Sequence, residues 1–281
     1  MIKVIHSCDD NPHYLDFWPL VSKVWKKHIG ITPVLIHLGK NKNISEEYGE
    51  VHYIPVNKSL PIHTQAQLAR LWYPSQEPNT LWITSDIDMF PMSRSYWNEV
   101  FMNMSAYANL DWTNLGSDSD YFQTCYHIAK GKMFNTVLGI DPVSKGQHWK
   151  YSFYSYVEKV LDDIPDFCAA KEVWFSWCQD LAQTACRHHH IEFEKWNADE
   201  LFSSKKIIEF RNGGGNVYQP QRTSEINIPV MIRRLERSNW NYNPALVKGG
   251  YYIDCHSLRP YSKYKDQIDK VLNLLPGMED C

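Results

Sequence analysis

Apolar and polar segments alternate along the first third of the chain in a way that predicts strands separated by helices. Short apolar runs predict strands at residues 2–7, 32–39, 50–56 and 80–85. Between them, apolar residues recur at helical spacing from Tyr14 to Ile29, where Gly30 is placed to end the helix, and again over residues 63–72. Strands that alternate with helices are typical of a parallel sheet with right-handed crossovers, so we expect an α/β fold.

The pattern is less regular after Pro91. It predicts helices at residues 157–162, 171–186 and 261–275, and short strands at 191–196, 207–210 and 249–256. The glycine-rich residues 212–216 lack the ending of a phosphate-binding P-loop and predict a plain turn. No linker, repeat or low-complexity stretch divides the chain, which indicates one domain over residues 1–281.

Two carboxylates follow the strand at residues 80–85. Asp86 and Asp88 stand at positions i and i+2, which project to the same side of an extended chain. Such a pair at a strand end suits Mg²⁺ or Mn²⁺, with a phosphate-bearing substrate completing the metal shell. A pair that only caps turns is one alternative. A haloacid-dehalogenase-type motif is another alternative. That motif usually lies on the first strand and has Thr or Val where this chain has Phe90, whereas here three predicted strands come before the one that carries the pair.

Composition limits the classes of partner. The formal net charge is −3, so no general attraction to nucleic acid is expected. Seven cysteines at scattered spacing, without a CxxC pair, indicate neither a zinc knuckle nor a disulfide framework and favour a reducing compartment. No apolar run approaches the roughly 18–20 residues that span a bilayer. We therefore expect a cytoplasmic protein with no stable membrane anchor and no nucleic-acid partner.

The segment Thr84-Ser85-Asp86-Ile87-Asp88-Met89-Phe90, after several βα units and before a less regular second half, resembles the DxD motif of GT-A fold glycosyltransferases, which use nucleotide sugars. The resemblance implies a Rossmann-like, mostly parallel sheet with flanking helices. It implies a nucleotide-sugar-binding half at residues 1–92 and an acceptor-binding half at residues 93–281. The missing anchor is typical of such enzymes in bacteria or large DNA viruses.

The resemblance also implies roles for individual residues. Asp88, Asp86 and the late His256 would bind Mn²⁺ or Mg²⁺, and Arg259, with Lys248 or Lys263, would neutralise the departing diphosphate. Nucleotide contacts would come from the first strand end, the helix before the DxD motif and the residue before its first aspartate. These residues are Ser7, Asp9, Asp10, Gln67, Arg70 and Ser85. Two other interpretations are equally open, namely that His256 is a surface histidine and that Arg70 forms a surface salt bridge.

A catalytic base is harder to place. By resemblance it lies at a helix start in the second half, and Asp180 is the closest counterpart, although Gln179 replaces the usual first carboxylate and Glu172 lies two turns earlier. Asp118 and Asp120 are a second possibility. With a base the enzyme would invert the anomeric centre, and without one a retaining mechanism is favoured.

The resemblance implies a nucleoside-diphosphate sugar donor, with UDP the commonest nucleotide and GDP or dTDP still open. The acceptor would be an oligosaccharide or glycoconjugate, lying over aromatic surfaces such as Trp112, Tyr121 or Trp174. The run at residues 188–190 is interpreted as an exposed lead-in to a strand, because consecutive histidines splay apart. Two other functions stay open. One is a metal-dependent phosphohydrolase or nucleotidyltransferase with the same DxD motif, and the other is a non-catalytic carbohydrate-binding relative.

Overall fold

A computed structural model describes most of the chain. The described ranges are residues 1–58, 60–107, 112–115, 122–140, 149–170, 198–219 and 232–279. Its strands are β1 (Ile2–Asp9), β2 (Thr32–Leu38), β3 (Glu50–Tyr53), β4 (Leu81–Thr84), β5 (Met89–Pro91), β6 (Trp112–Asn114), β7 (His127–Lys130), β8 (Val217–Tyr218), β9 (Ile232–Leu235) and β10 (Tyr252–His256). Its helices are α1 (Pro12–Leu15), α2 (Trp18–Lys23), α3 (Ile62–Trp72), α4 (Arg94–Tyr107), α5 (Gly131–Leu138), α6 (Trp149–Ala170), α7 (Ala198–Asn212), α8 (Pro244–Lys248) and α9 (Tyr261–Leu272).

The central sheet has seven strands in the order β3-β2-β1-β4-β7-β6-β8. The pairs β1/β2, β2/β3, β1/β4 and β6/β8 are parallel, whereas β7 runs antiparallel to both β4 and β6. The sheet is thus mostly parallel, and helices flank it. This architecture confirms the predicted α/β class with a mostly parallel sheet.

Apolar side chains on both faces of the sheet explain why its central strands read as continuous hydrophobic runs. Successive strand residues point to opposite faces, so Val4 packs into one buried cluster and Ile5 into the other. Ile83 and Trp82 on β4 are divided in the same way. A strand covered on both faces is typical of parallel sheets.

A smaller sheet, in the order β5-β10-β9, lies beside the end of β4. Strand β10 pairs antiparallel with β5, which places His256 opposite Met89. The pairing continues past the strand, because the Ser257 N–H donates to the Asp88 carbonyl at 2.9 Å. The late histidine is therefore brought beside the DxD segment by backbone hydrogen bonds between residues far apart in sequence.

Most predicted elements of the first half are confirmed, with differences in detail. The long helix from Tyr14 is divided into α1, α2 and a π-helical stretch at Val24–Ile29. Gly30 ends it in the left-handed conformation, with φ of 90°.

One predicted strand is wrong. Residues 207–210 lie inside α7, where Ile207 and Ile208 pack into a buried cluster with α6 and α3 residues. A run of four residues with adjacent isoleucines does not distinguish a strand from a buried helix turn. Helix α4 was not predicted. The predicted elements at 171–186 and 191–196 lie outside the described residues.

Candidate metal and nucleotide site

A cavity of about 830 Å³ lies where β1 and β4 end. Its lining comes from the end of β1 and the turn after it, from α3, from the DxD segment and from residues around β9 and β10. In open α/β sheets, ligands bind beyond the carboxyl ends of the parallel strands. The cavity volume lies within the range of about 300–1,000 Å³ that is usual for small-molecule sites.

Asp88 is the most enclosed carboxylate of this cavity, with 3% of its surface exposed. Its Oδ2 accepts a hydrogen bond from Arg237 Nη2 at 3.0 Å and lies 3.3 Å from Arg259 Nε. His256 Nε2 approaches the same oxygen to 3.6 Å. One buried carboxylate oxygen therefore faces two guanidinium groups and an imidazole.

Asp86 is held from the other side by Arg70. Arg70 Nη1 donates to Asp86 Oδ1, while Nη2 donates to Thr124 Oγ1 at 2.6 Å and to Asp199 Oδ2 at 2.7 Å. Burial disfavours the Asp86 carboxylate, but the Arg70 guanidinium outweighs burial and lowers the Asp86 pKa to about 2. Burial likewise opposes the charge on Arg70, yet Asp86 and Asp199 raise its pKa.

A histidine binds a metal through its neutral imidazole, and the surroundings of His256 favour that form. Burial lowers the pKa of His256 below its ordinary value, although Asp88 opposes this shift and Arg237 adds to it. Its Nδ1 lies 3.6 Å from Glu236 Oε2. A carboxylate beside the second ring nitrogen orients many metal-binding histidines.

Asp86, Asp88 and His256 fit a divalent metal. Their ligand atoms all lie within 4.8 Å of one another. Two carboxylates with one imidazole suit Mn²⁺ better than Mg²⁺, which prefers oxygen alone. Because Arg70 donates to Asp86 Oδ1, we expect Asp86 to bind a metal through its other carboxylate oxygen, Oδ2.

Arg259 is fixed by an aromatic neighbour as well as by Asp88. Its Nη1 donates to the Tyr14 hydroxyl at 2.6 Å, and its guanidinium lies 5.1 Å from the centre of the Tyr14 ring. Tyr14 lies just after β1 and Arg259 just after β10, so this contact joins two parts of the cavity wall that are far apart in sequence.

Most of the site residues predicted from the sequence meet in this cavity. The predicted residues that line it are Ser7, Asp9, Gln67, Arg70, Asp86, Asp88, His256 and Arg259. Asp9 also caps a turn, because its Oδ1 accepts from the Asn11 N–H at 2.9 Å.

Other predicted residues lie away from the cavity lining. Ser85 is fully buried, and its hydroxyl donates to the Asp86 carbonyl at 3.2 Å. Lys248 is exposed at the end of α8, and Lys263 is exposed on α9. Asp10 organises the loop after β2 instead, since it accepts from the backbone N–H groups of Lys40 and Asn41.

Trp112 contradicts the expected acceptor surface. It is fully buried, and its indole Nε1 donates to His127 Nδ1 at 2.9 Å, so its ring has no face for a sugar. The remaining candidates of the second half lie outside the described residues. They are Asp118, Asp120, Tyr121, Glu172, Trp174, Asp180 and the histidines at 188–190.

Several residues of the site were missed by sequence reasoning. Arg237 and Glu236 follow β9, and a signal was available in the charged run Arg233-Arg234-Leu235-Glu236-Arg237. Arg234 itself makes a two-point contact with buried Asp254, at 2.5 and 3.0 Å, which ties β9 to β10. Asp199 and Thr124 had no local signal, because only packing brings them to Arg70.

The chain matches no family model and no curated protein. Ninety-three chains of solved structures are similar to it. One is mannose-6-phosphate isomerase from Helicobacter pylori, at 11% identity and a TM-score of 0.33, over 49% of this chain and 73% of the other. Another is the galactosyltransferase LgtC in complex with donor and acceptor sugar analogues, at 16% identity and a TM-score of 0.32, over 58% of this chain and 66% of the other. At these TM-scores the two similarities add nothing to the chemistry of the site.

None of the helices in the described part of the chain combines the length and the apolar composition that a membrane span requires.

Proposed function

We propose that this protein is a metal-dependent glycosyltransferase. It transfers a sugar from a nucleoside-diphosphate sugar, with UDP as the first nucleotide to test, to a hydroxyl of a glycan or glycoconjugate in the cytoplasm. The observation that carries the proposal is the close group of Asp86, Asp88 and His256 inside a cavity that also contains arginines. A site with both metal ligands and guanidinium groups suits a diphosphate.

In this proposal Asp86, Asp88 and His256 hold Mn²⁺ or Mg²⁺. The metal, when bound, supplies a positive charge that stabilises the departing diphosphate. Arg237 and Arg259 line the same wall and donate to phosphate oxygens, for which the guanidinium fork is well shaped. Arg70 keeps Asp86 ionised and in place.

The nucleoside lies over the end of β1 and the start of α3. Ser7, Asp9 and Gln67 line this part of the cavity and offer hydroxyl, carboxylate and amide groups to ribose and base. We assign residues 1–92 to the donor half of a single domain and residues 93–281 to the acceptor half, which also contributes His256, Arg237 and Arg259 to the diphosphate site.

The chemical step is a direct displacement. The acceptor hydroxyl attacks C1 of the donor sugar, the bond from C1 to the diphosphate oxygen breaks, and the anomeric configuration inverts. Asp180 accepts the hydroxyl proton in this scheme, on the basis of family resemblance alone.

The test combines binding with product analysis. A thermal-shift panel of nucleoside diphosphates and nucleotide sugars, with and without Mn²⁺, identifies the donor, because a ligand of the native state raises the melting temperature. Asp88→Asn should abolish Mn²⁺-dependent stabilisation by the donor and lose sugar transfer. Asp266→Asn is the matched control, since it removes the same charge from an exposed position on α9.

Different products separate this function from its rivals. Release of pyrophosphate, or hydrolysis without a sugar acceptor, would point to a nucleotidyltransferase or phosphohydrolase. Glycan binding that persists in EDTA without donor turnover would indicate a carbohydrate-binding protein. Normal Mn²⁺-dependent transfer by Asp88→Asn would refute the proposed metal site.

A further inference from the structure

Arg237 contacts the buried carboxylate of the candidate metal site. Its Nη2 is 3.0 Å from Asp88 Oδ2, the carboxylate oxygen that His256 Nε2 also approaches. A divalent cation at Asp88 and a guanidinium on the same oxygen repel each other. Arg237 therefore opposes metal binding unless it moves away from Asp88 or an anion compensates its charge.

A second feature of Arg237 indicates an anionic ligand. Its Nη1 is buried and has no hydrogen-bond acceptor among the described residues. A buried donor without an acceptor is costly, and the cost is larger for a charged group. Phosphate oxygens are the acceptors that the two ends of a guanidinium fork bind best. Because Arg237 lines the cavity, such an anion reaches it from the ligand side.

Asp88 already has two cationic partners before any ligand binds. Arg237 Nη2 and Arg259 Nε lie 3.0 and 3.3 Å from its Oδ2. A divalent ion bound to Asp88 would therefore lie beside two guanidinium groups. A diphosphate that binds with the metal supplies the negative charge that offsets this repulsion.

We propose that Arg237 is an internal counter-ion that makes metal binding conditional on the diphosphate. In the ligand-free protein it neutralises Asp88 together with Arg259 and keeps the metal affinity low. When metal and diphosphate bind together, Arg237 would leave Asp88 for a phosphate oxygen, and Asp88 would become available to the metal. This inference rests on the proposed function, because it assumes that the cavity binds a metal and a diphosphate.

The scheme predicts how one substitution changes each binding step. Arg237→Gln removes one of the two guanidinium groups at Asp88, the one that donates a hydrogen bond to it, so Mn²⁺ alone should bind roughly tenfold more tightly. UDP at saturating Mn²⁺ should bind roughly tenfold more weakly, because an arginine–phosphate contact is lost. The affinity for UDP without metal should change little. The substitution removes one Arg237 contact from the ligand-free state, with Asp88, and one from the UDP-bound state, with phosphate.

These changes are linked by thermodynamics. In the wild type, saturating Mn²⁺ should tighten UDP binding by a factor on the order of 100, and UDP should tighten Mn²⁺ binding equally. In Arg237→Gln the factor should fall to roughly 10 in both directions. The affinity for Mn²⁺ at saturating UDP should therefore be unchanged, which is an internal check on the data.

The experiment is isothermal titration calorimetry of the full chain with Mn²⁺, with UDP, and with each in the presence of the other. Arg237→Lys keeps the charge without the fork and should fall between the wild type and Arg237→Gln. Arg211→Gln, at an exposed position on α7, is the matched control and should behave as wild type. Adding Asp88→Asn to Arg237→Gln should abolish the tighter Mn²⁺ binding, which shows that the metal is bound at this site. Circular dichroism confirms that each variant is folded.

The outcomes distinguish this inference from the proposed function. If the wild type binds Mn²⁺ and UDP cooperatively but Arg237→Gln binds Mn²⁺ alone no more tightly, the counter-ion role is refuted and the metal–diphosphate site stands. If Arg237→Gln weakened UDP binding equally with and without Mn²⁺, the counter-ion role would also be refuted. If the wild type shows no Mn²⁺ binding even with UDP, both proposals are refuted.

Discussion

Arg70 offers the sharpest test of how the protein maintains its site, because its guanidinium joins three elements of the fold. It is 8% exposed and binds Asp86 in the DxD segment, Thr124 before β7 and Asp199 at the start of α7. Asp199 is 1% exposed. Replacing Arg70 by methionine keeps the apolar stem and removes the charge, so Asp199 is left as a buried carboxylate without its cation.

The magnitude follows from this geometry. Two unit charges about 4 Å apart interact by about 4 kcal/mol at an effective dielectric constant of about 20. Removal of one partner from a buried pair costs about 3–5 kcal/mol, because the other charge stays desolvated. Asp86 adds less to this cost, since its side chain is 31% exposed and water replaces part of the lost contact. We therefore expect Arg70→Met to lower the free energy of unfolding by about 3–5 kcal/mol.

Urea denaturation, followed by circular dichroism, measures this loss. The double variant Arg70→Met/Asp199→Asn removes the stranded charge and should regain about 2 kcal/mol or more relative to the single variant. Arg211→Met, at an exposed position on α7, should stay within about 0.5 kcal/mol of wild type. A double variant no more stable than Arg70→Met would refute the reasoning, because the cost would then not come from Asp199. The restored double variant should still bind UDP and Mn²⁺ weakly, since Asp86 has lost its anchor.

Two further predictions concern stability. Burial and the nearby Arg70 lower the pKa of His127 to about 3, so below the unfolded value of about 6.5 only the unfolded chain takes up this proton and stability falls. As the pH falls from about 7.5 to about 5, this histidine should lower the free energy of unfolding by about 2 kcal/mol. His127→Gln should remove that part of the pH dependence of the urea midpoint. Gly30→Ala should destabilise by about 1–2 kcal/mol, because φ is 90° there although a methyl group meets no atom within 4 Å. Gly213→Ala, at a position without positive φ, should cost clearly less in the same melts, and equal losses would contradict the backbone explanation.

Much of the first half of the fold was predictable because its signals are local. Strands β1, β2 and β4 are buried on both faces and are therefore continuous apolar runs, and Gly30 marks the helix end by its own backbone freedom. The i, i+2 spacing of Asp86 and Asp88 after an apolar strand likewise predicted that the two carboxylates meet at the strand end, where their candidate ligand atoms lie within 4.8 Å of each other.

Failures occurred where short-range pattern and packing disagree. Residues 207–210 were predicted as a strand, but the neighbouring α6 and α3 bury them as part of a helix. Trp112 was expected at a surface, although its indole is enclosed in the core and hydrogen-bonded to His127. Aromatic type by itself does not say whether a ring faces solvent.

The sequence by itself determined where the carboxylates stand and which strands deliver them, because side-chain alternation and apolar periodicity act over a few residues. Only the tertiary structure decided which side chains from distant elements join them. The antiparallel pairing of β10 with β5 brings His256 to Asp88, and the packing of α3 against α7 brings Asp199 to Arg70. Such contacts join residues more than a hundred positions apart, and their partners are selected by the register of the whole fold, which no local pattern records.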